Sequence, residues 1–142
     1  MKQIIKLKYG ELFCGPGGMG LGAKNAIVKH NKKTYKMKHL WAVDYDKDSC
    51  LTYKHNMSSE GQVLTQDVQT LNIKSLDKID IFAYGFPCND FSIVGKHKGT
   101  KGKFGRLYEY GIHVLNNSHP KAFIAENVGG LQSANNGKDL RK

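Results

Sequence analysis

Three positions in this 142-residue sequence have the residue types and spacing of a nucleoside site. Gly15-Pro16-Gly17-Gly18-Met19-Gly20 fits G-x-G-x-x-G. Glycines in that pattern allow a tight turn and bring backbone close to a ligand, where side chains would block it. If the turn opens a helix, unpaired backbone N–H groups face the ligand. Asp44 and Asp67 each follow a short apolar run. A carboxylate at Asp44 can accept both hydroxyl protons of a ribose, and one at Asp67 can accept from an adenine amino group. Together they describe an adenosine-type pocket, suited equally to a dinucleotide or to S-adenosylmethionine. Each acid alone is as readily a turn former or a helix cap.

A different chemistry is suggested by Gly85-Phe86-Pro87-Cys88-Asn89-Asp90-Phe91-Ser92. A cysteine directly after proline, just past a buried strand, sits on a stiff turn at a site edge. As thiolate, Cys88 is a nucleophile. The ordinary fate of a lone cysteine, a small buried hydrophobe, suits Cys50 and Cys14 better. Glu126-Asn127-Val128 follows the last apolar run. A carboxyl at Glu126, in a mostly apolar pocket, would have its pKa raised enough to donate a proton near neutrality. Asn127 would orient the acid or the cysteine loop.

These groups need a frame that brings them together. Apolar runs at 9–13, 40–43, 63–64, 79–84 and 122–125 read as strands. Helical spacing is expected over 21–28, over 46–56 with Asp46 as N-cap, and over 107–116. Continuous apolar strands alternating with helices indicate a doubly wound α/β domain, with a mostly parallel sheet covered on both faces. In such sheets functional groups collect at the carboxyl ends of the strands. The glycine turn, Asp44, Asp67, Cys88 and Glu126 all fall there.

Composition bounds the rest. The length suits one domain with one real core, and the sequence is 39% hydrophobic and 24% charged. There is no apolar run near ~18 residues, so a membrane span is not expected. The amino-terminal residues lack a signal peptide's apolar stretch, and three cysteines make no disulfide framework. A reducing, cytoplasmic setting follows as the expectation. The six histidines show no metal-ligand spacing, so no metal is expected. Twenty-two Lys and Arg against twelve Asp and Glu give +10, which suits a polyanionic partner. Part of that charge lies in the glycine-rich stretch 95–106, directly after the cysteine loop. The lysines between 24 and 38 are read as the solvated surface of the first helix and a loop.

Taken together, the strings resemble the signatures of the DNA (cytosine-5) methyltransferases. Glu11-Leu12-Phe13-Cys14-Gly15-Pro16-Gly17-Gly18 resembles their first motif, and Ala42-Val43-Asp44-Tyr45-Asp46 their second. Gln66-Asp67-Val68 resembles the third, Gly85-Phe86-Pro87-Cys88 the nucleophile loop, and Glu126-Asn127-Val128 the Glu-Asn-Val motif. They stand in family order across essentially the whole chain.

The resemblance implies a Rossmann-like methyltransferase fold whose sheet is incomplete on its C-terminal side. It implies S-adenosylmethionine held by Phe13, Gly15, Gly17, Gly18, Asp44, Tyr45, Asp67, Val68 and Pro87. Cys88, Glu126 and Asn127 would act on a cytosine flipped out of double-stranded DNA. Ser92, Lys96, Lys98, Lys101, Lys103 and Arg106 would contact that DNA from a mobile catalytic loop. Residues 1–142 would then be the N-terminal part of a catalytic domain, without its target-recognition domain. They would be inactive or nearly so alone, with a second chain as one source of the missing half. Asn89 stands where many members have Gln, and the family's Gln-x-Arg-x-Arg strand is not in this sequence. Two other readings share the frame: a non-catalytic nucleic-acid or partner-binding domain, and a nicotinamide-dependent oxidoreductase. Neither needs a Pro-Cys loop together with Glu-Asn-Val.

Overall fold

The computed structural model describes residues 3–57, 61–87 and 106–128. Its elements run β1 (Gln3–Leu12), α1 (Gly18–Asn25), β2 (Ile27–His30), β3 (Lys33–Asp44), α2 (Lys47–Met57), β4 (Gln62–Thr65), β5 (Ile81–Tyr84), α3 (Tyr108–Ser118) and β6 (Ala122–Ala125). Two 3-10 turns, Val68–Thr70 and Ile73–Ser75, lie between β4 and β5. The sheet runs β2-β3-β1-β5-β6, with β4 on the same edge of β3 as β2 but nearer its carboxyl end. Every pairing is parallel except the β2–β3 hairpin. This is the mostly parallel, doubly wound sheet that the alternation of elements implies.

Two of the sequence expectations need correction. The first helix ends at Asn25, not Val28, because Ile27 and Val28 turn back as β2 along β3. Asn31 and Lys32 form the hairpin with φ of 46° and 61°, the left-handed pair that a tight hairpin turn requires. The lysines between 24 and 38 therefore sit mainly on two paired strands, not on a helix and a loop. Asp46 does cap α2, accepting from Ser49 N at 2.7 Å.

Alternation along the strands divides the interior into two layers. Leu12, Trp41, Val43, Phe82 and Tyr84 face Val114 of α3 and the 3-10 segment with Val68, Leu76 and Ile79. On the opposite face Cys14 and Ala42 pack against Tyr53 and Met57 of α2. A register shift between Tyr9 and Gly10 inserts Leu40 into β3. Trp41 then lies against Gly10, where a Cβ would come within 2.6 Å of its ring. At the far edge β6 is exposed along its length, with Phe123 and Ile124 on opposite faces and over half accessible. No helix among the described residues is long and apolar enough to cross a membrane.

Candidate functional site

The carboxyl ends of β1, β3, β4, β5 and β6 lie along one edge of the sheet. β1 runs into the glycine turn, and Asp44 is the last residue of β3. Asp67 follows β4 by two residues, and Glu126 directly follows β6. Cys88 lies outside the described residues, but Phe86 and Pro87 lead towards it from β5.

Asp44 organises the turn. Its Oδ2 accepts from Gly15 N at 2.8 Å, and its Oδ1 accepts from Asp46 N at 2.9 Å. A carboxylate has about four acceptor positions, so two remain for a ligand's hydroxyls. Asn56 of α2 steadies the other side, donating to Pro16 O at 3.2 Å. Phe13 holds a φ of 55°, a costly conformation for a residue with a side chain. It turns the chain from β1 into the loop and lines the cavity beside it.

That cavity, about 360 Å³, is lined by Phe13, Val43, Asp44, Tyr45, Gln66, Asp67, Val68, Gln69, Pro87 and Leu107. Six of the nine residues assigned to the cofactor are among them. Tyr45 is 73% exposed at its rim, a ring surface open to stacking. The turn-forming role considered for Asp67 is present, and its place beside the cavity is compatible with the other. It lines the cavity, and it caps the first 3-10 turn by accepting from Gln69 N at 2.9 Å. The other four lining residues, Val43, Gln66, Gln69 and Leu107, are not among those the sequence assigns to the cofactor. Leu107 precedes α3, and only the fold brings it to the same cavity as Asp67.

The four glycines of the motif divide by what a side chain would meet. Nothing lies within 4 Å of a Cβ built on Gly15 or Gly18, so their surfaces are open to a ligand. Gly17, at φ 99°, and Gly20 face inward instead. A Cβ would meet Tyr53 at 2.9 Å from Gly17 and at 2.3 Å from Gly20. Gly20→Ala is therefore expected to cost about 1–3 kcal/mol by overpacking. Gly18→Ala should leave the urea midpoint within about 0.5 kcal/mol of the parent, since it touches no interior group. Equal destabilisation of the two in urea titrations would refute this division.

Beneath Gly20 lies a buried polar cluster that sequence reading passed over. Glu11 Oε2 accepts from Tyr9 Oη at 3.1 Å and from Tyr53 Oη at 3.0 Å. Tyr53 Oη also meets His39 Nε2 at 2.5 Å. No partner among the described residues reaches Glu11 Oε1. Burial pushes the Glu11 carboxyl up to about 7, against the pull of the two tyrosine hydroxyls, with Asp44 adding to the rise. Burial, then Glu11, push the Cys14 thiol far above its ordinary range. Cys14 is an inert buried thiol, the ordinary fate of a lone cysteine. Cys50 is buried too, its Sγ near Asp44 O and Leu64 O.

On the other side of the edge, Asn127 Nδ2 donates to Phe86 O at 2.9 Å, tying the Glu-Asn-Val segment to the loop that leads to Cys88. Glu126 N donates to Tyr84 O, and its carboxyl lies beside Gly85. Glu126 is exposed, so the apolar pocket expected around it is not formed by the described residues. Arg106 is also exposed and forms a two-point pair with Glu109, which occupies its guanidinium. Ser92, Lys96, Lys98, Lys101 and Lys103 lie outside the described residues.

Comparison with known proteins agrees with this geometry. The family model for C-5 cytosine-specific DNA methylases matches residues 7–142. The type II methyltransferase M.BbvI of Brevibacillus brevis is 51% identical, over 94% of this chain and 38% of its own length. M.NgoFVII of Neisseria gonorrhoeae is 34% identical, over 96% of this chain and 34% of its own. This chain thus spans little more than a third of these relatives. Among solved structures, a DNA modification methyltransferase from an E. coli prophage superposes with TM-score 0.69 at 25% identity, over 95% of this chain and 36% of that one. S. pombe Dnmt2 methyltransferase has the same fold, with TM-score 0.61 at 18% identity, over 96% of this chain and 39% of that one. On the strength of a match over nearly its whole length, this chain belongs to the C-5 cytosine-specific DNA methylase family.

Proposed function

We propose that this chain is the N-terminal, cofactor-binding and nucleophile-bearing part of a cytosine-5 methyltransferase acting on double-stranded DNA. The observation that carries the proposal is the cavity at the carboxyl edge. It brings Phe13, Asp44, Tyr45, Asp67, Val68 and Pro87 together beside the open backbone of Gly15 and Gly18. S-adenosylmethionine fits this set: Asp44 for the ribose hydroxyls, Asp67 for the adenine amino group, Tyr45 and Phe13 for the purine faces. Bound there, it would supply an activated methyl group at the edge towards which Phe86 and Pro87 run.

The chain's own residues would do the following. The Cys88 thiolate adds to C6 of the flipped cytosine, and Glu126 gives its proton to N3, leaving C5 electron-rich. After C5 is methylated, a water molecule takes the C5 proton, the C5–C6 double bond re-forms as the thiolate leaves, and N3 returns its proton to the Glu126 carboxylate. Asn127, through its bond to Phe86 O, holds the cysteine loop against the acid. The names of the relatives favour a restriction-linked methylase over other members.

Because the chain spans about a third of its relatives, target reading and pocket closure would come from further polypeptide, in the same molecule or in a second chain. Complementation tests the reading. The chain is mixed with the remaining part of the B. brevis relative, S-adenosylmethionine and duplex DNA containing 5-fluorocytosine. The expected product is a denaturation-resistant adduct that a Cys88→Ser chain does not form. Absence of adduct while S-adenosylhomocysteine still binds, or an adduct that survives Cys88→Ser, would sink the assignment. Alone, the chain should transfer no methyl at an ordinary turnover of ~1 per second or more.

A further inference from the structure

The amino-terminal halves of β1 and β3 extend past the start of β5, and with β2 they form a three-stranded sheet. Register assigns each side chain to a face. On one face the rows read Ile4–Thr34–Lys29, then Lys6–Lys36–Ile27, then Lys8–Lys38. Lys6, Lys8, Lys29, Lys36 and Lys38 thus share one side, and all are exposed. The other side alternates to Ile5, Leu7, Tyr35 and Met37, which are partly buried.

Two features set this face apart from an ordinary solvated surface. Lys6 stands directly opposite Lys36, and Lys8 directly opposite Lys38. Like charges in register oppose pairing, so the sheet is less stable with them than with neutral residues. No Asp or Glu occurs in residues 3–8, 27–30 or 33–38 to offset them. At the rim, Asp80 accepts from Lys8 N and pairs with Lys121 at 2.7 Å, and Lys121 and then the Lys8 N–H hold its carboxyl below the usual range.

We propose that this lysine face is a second DNA-contacting surface, gripping the phosphate backbone away from the nucleophile edge. The choice of DNA as occupant rests on the function proposed above. The face lies about 20 Å along β1 from the glycine turn, taking ~3.3 Å per residue. That is less than one helical turn of duplex, ~34 Å. Rows two residues apart, on strands ~4.8 Å apart, present a grid of cations with no hydrogen-bond pattern for reading bases. Such contacts position and strengthen without specifying sequence. Opposed lysines cost the free fold, and a polyanion laid across them removes that cost.

The test measures binding of the 142-residue chain to a labelled plain duplex, without cofactor, between 50 and 200 mM salt. Replacing Lys6, Lys8, Lys36 and Lys38 with Gln is expected to lower the slope of log K against log salt by about 3–4. Affinity at low salt should fall at least tenfold, while the urea midpoint stays equal or rises. Lys36→Glu, which places a carboxylate opposite Lys6, should stabilise the fold and still lower the slope by at least about 1. An unchanged slope and affinity in either folded variant would overturn the proposal, including the case in which the face serves an acidic protein. The adduct experiment does not depend on this face, so failure of one proposal is read separately from failure of the other.

Discussion

Asp44→Asn is expected to weaken S-adenosylhomocysteine binding by about 100-fold or more. Two hydroxyl bonds to a carboxylate contribute about 1.5–3 kcal/mol each, and about 3 kcal/mol in total already corresponds to two decades. The amide keeps the shape and one acceptor atom but loses the charge. Its second polar atom is a donor, and whichever way the amide turns it faces either Gly15 N or Asp46 N, both of which donate to the carboxylate in the parent. The glycine turn should therefore loosen too, lowering fold stability by about 1–3 kcal/mol. Asp46→Ala separates the two effects. Asp46 caps α2 but lines no part of the cavity, so that variant should lose about 0.5–2 kcal/mol of stability while binding as the parent does. Calorimetric titration of the folded variants checks both. An Asp44→Asn affinity within threefold of the parent would remove Asp44 from the ribose role.

Glu11→Gln should change how stability depends on pH. In the folded chain the Glu11 carboxyl titrates at about 7, against 4.5 for the free side chain. Between those values the folded state holds a proton that the unfolded state has released, so stability falls as pH rises. The contribution is fully present below about 4.5 and is gone above about 7. At about 1.4 kcal/mol per pH unit, this is on the order of 3 kcal/mol. Gln keeps the shape and an oxygen for the Tyr9 and Tyr53 hydroxyls without the titration. The difference between parent and variant isolates Glu11, because His39, Cys14, Asp44 and both tyrosines are present in each. Urea midpoints at pH 4.5, 6 and 7.5 should show the parent losing stability relative to Glu11→Gln. A constant difference across that range would contradict the assignment. The cluster also links the glycine turn to α2, since Tyr53 touches Glu11 and closes against Gly17 and Gly20.

Much of this arrangement was legible in the residues because the chemistry sits in short strings at strand ends. Asp44, Asp67 and the glycines are local signals, and a parallel sheet brings them to one edge whatever lies between. The amino halves of β1 and β3 were missed, although Ile5, Leu7, Tyr9 and Tyr35, Met37, His39 alternate with period two. Lysines at every other position made them look like mixed segments. The β2 hairpin turns at Asn31-Lys32, without the glycine that usually announces such a turn. Glu11 falls within the first motif string, where nothing local gives it a role. Its burial depends on Tyr53, 42 residues on, and no local pattern reports that contact. Glu126 went the other way: a carboxyl expected in an apolar pocket is exposed, because β6 carries no cover among the described residues. Burial of a charged group is decided by what packs over it, and that is the least local property of a sequence.

The most direct test of the central claim, that the carboxyl edge is an S-adenosyl pocket, is a titration of the isotopically labelled chain with S-adenosylhomocysteine followed by amide resonances. Shifts are expected to concentrate at Phe13, Gly15, Gly18, Tyr45, Val68 and Gln69, with the Lys6–Lys36 face undisturbed. Saturation without shifts at those amides, or shifts centred on another part of the fold, would contradict it.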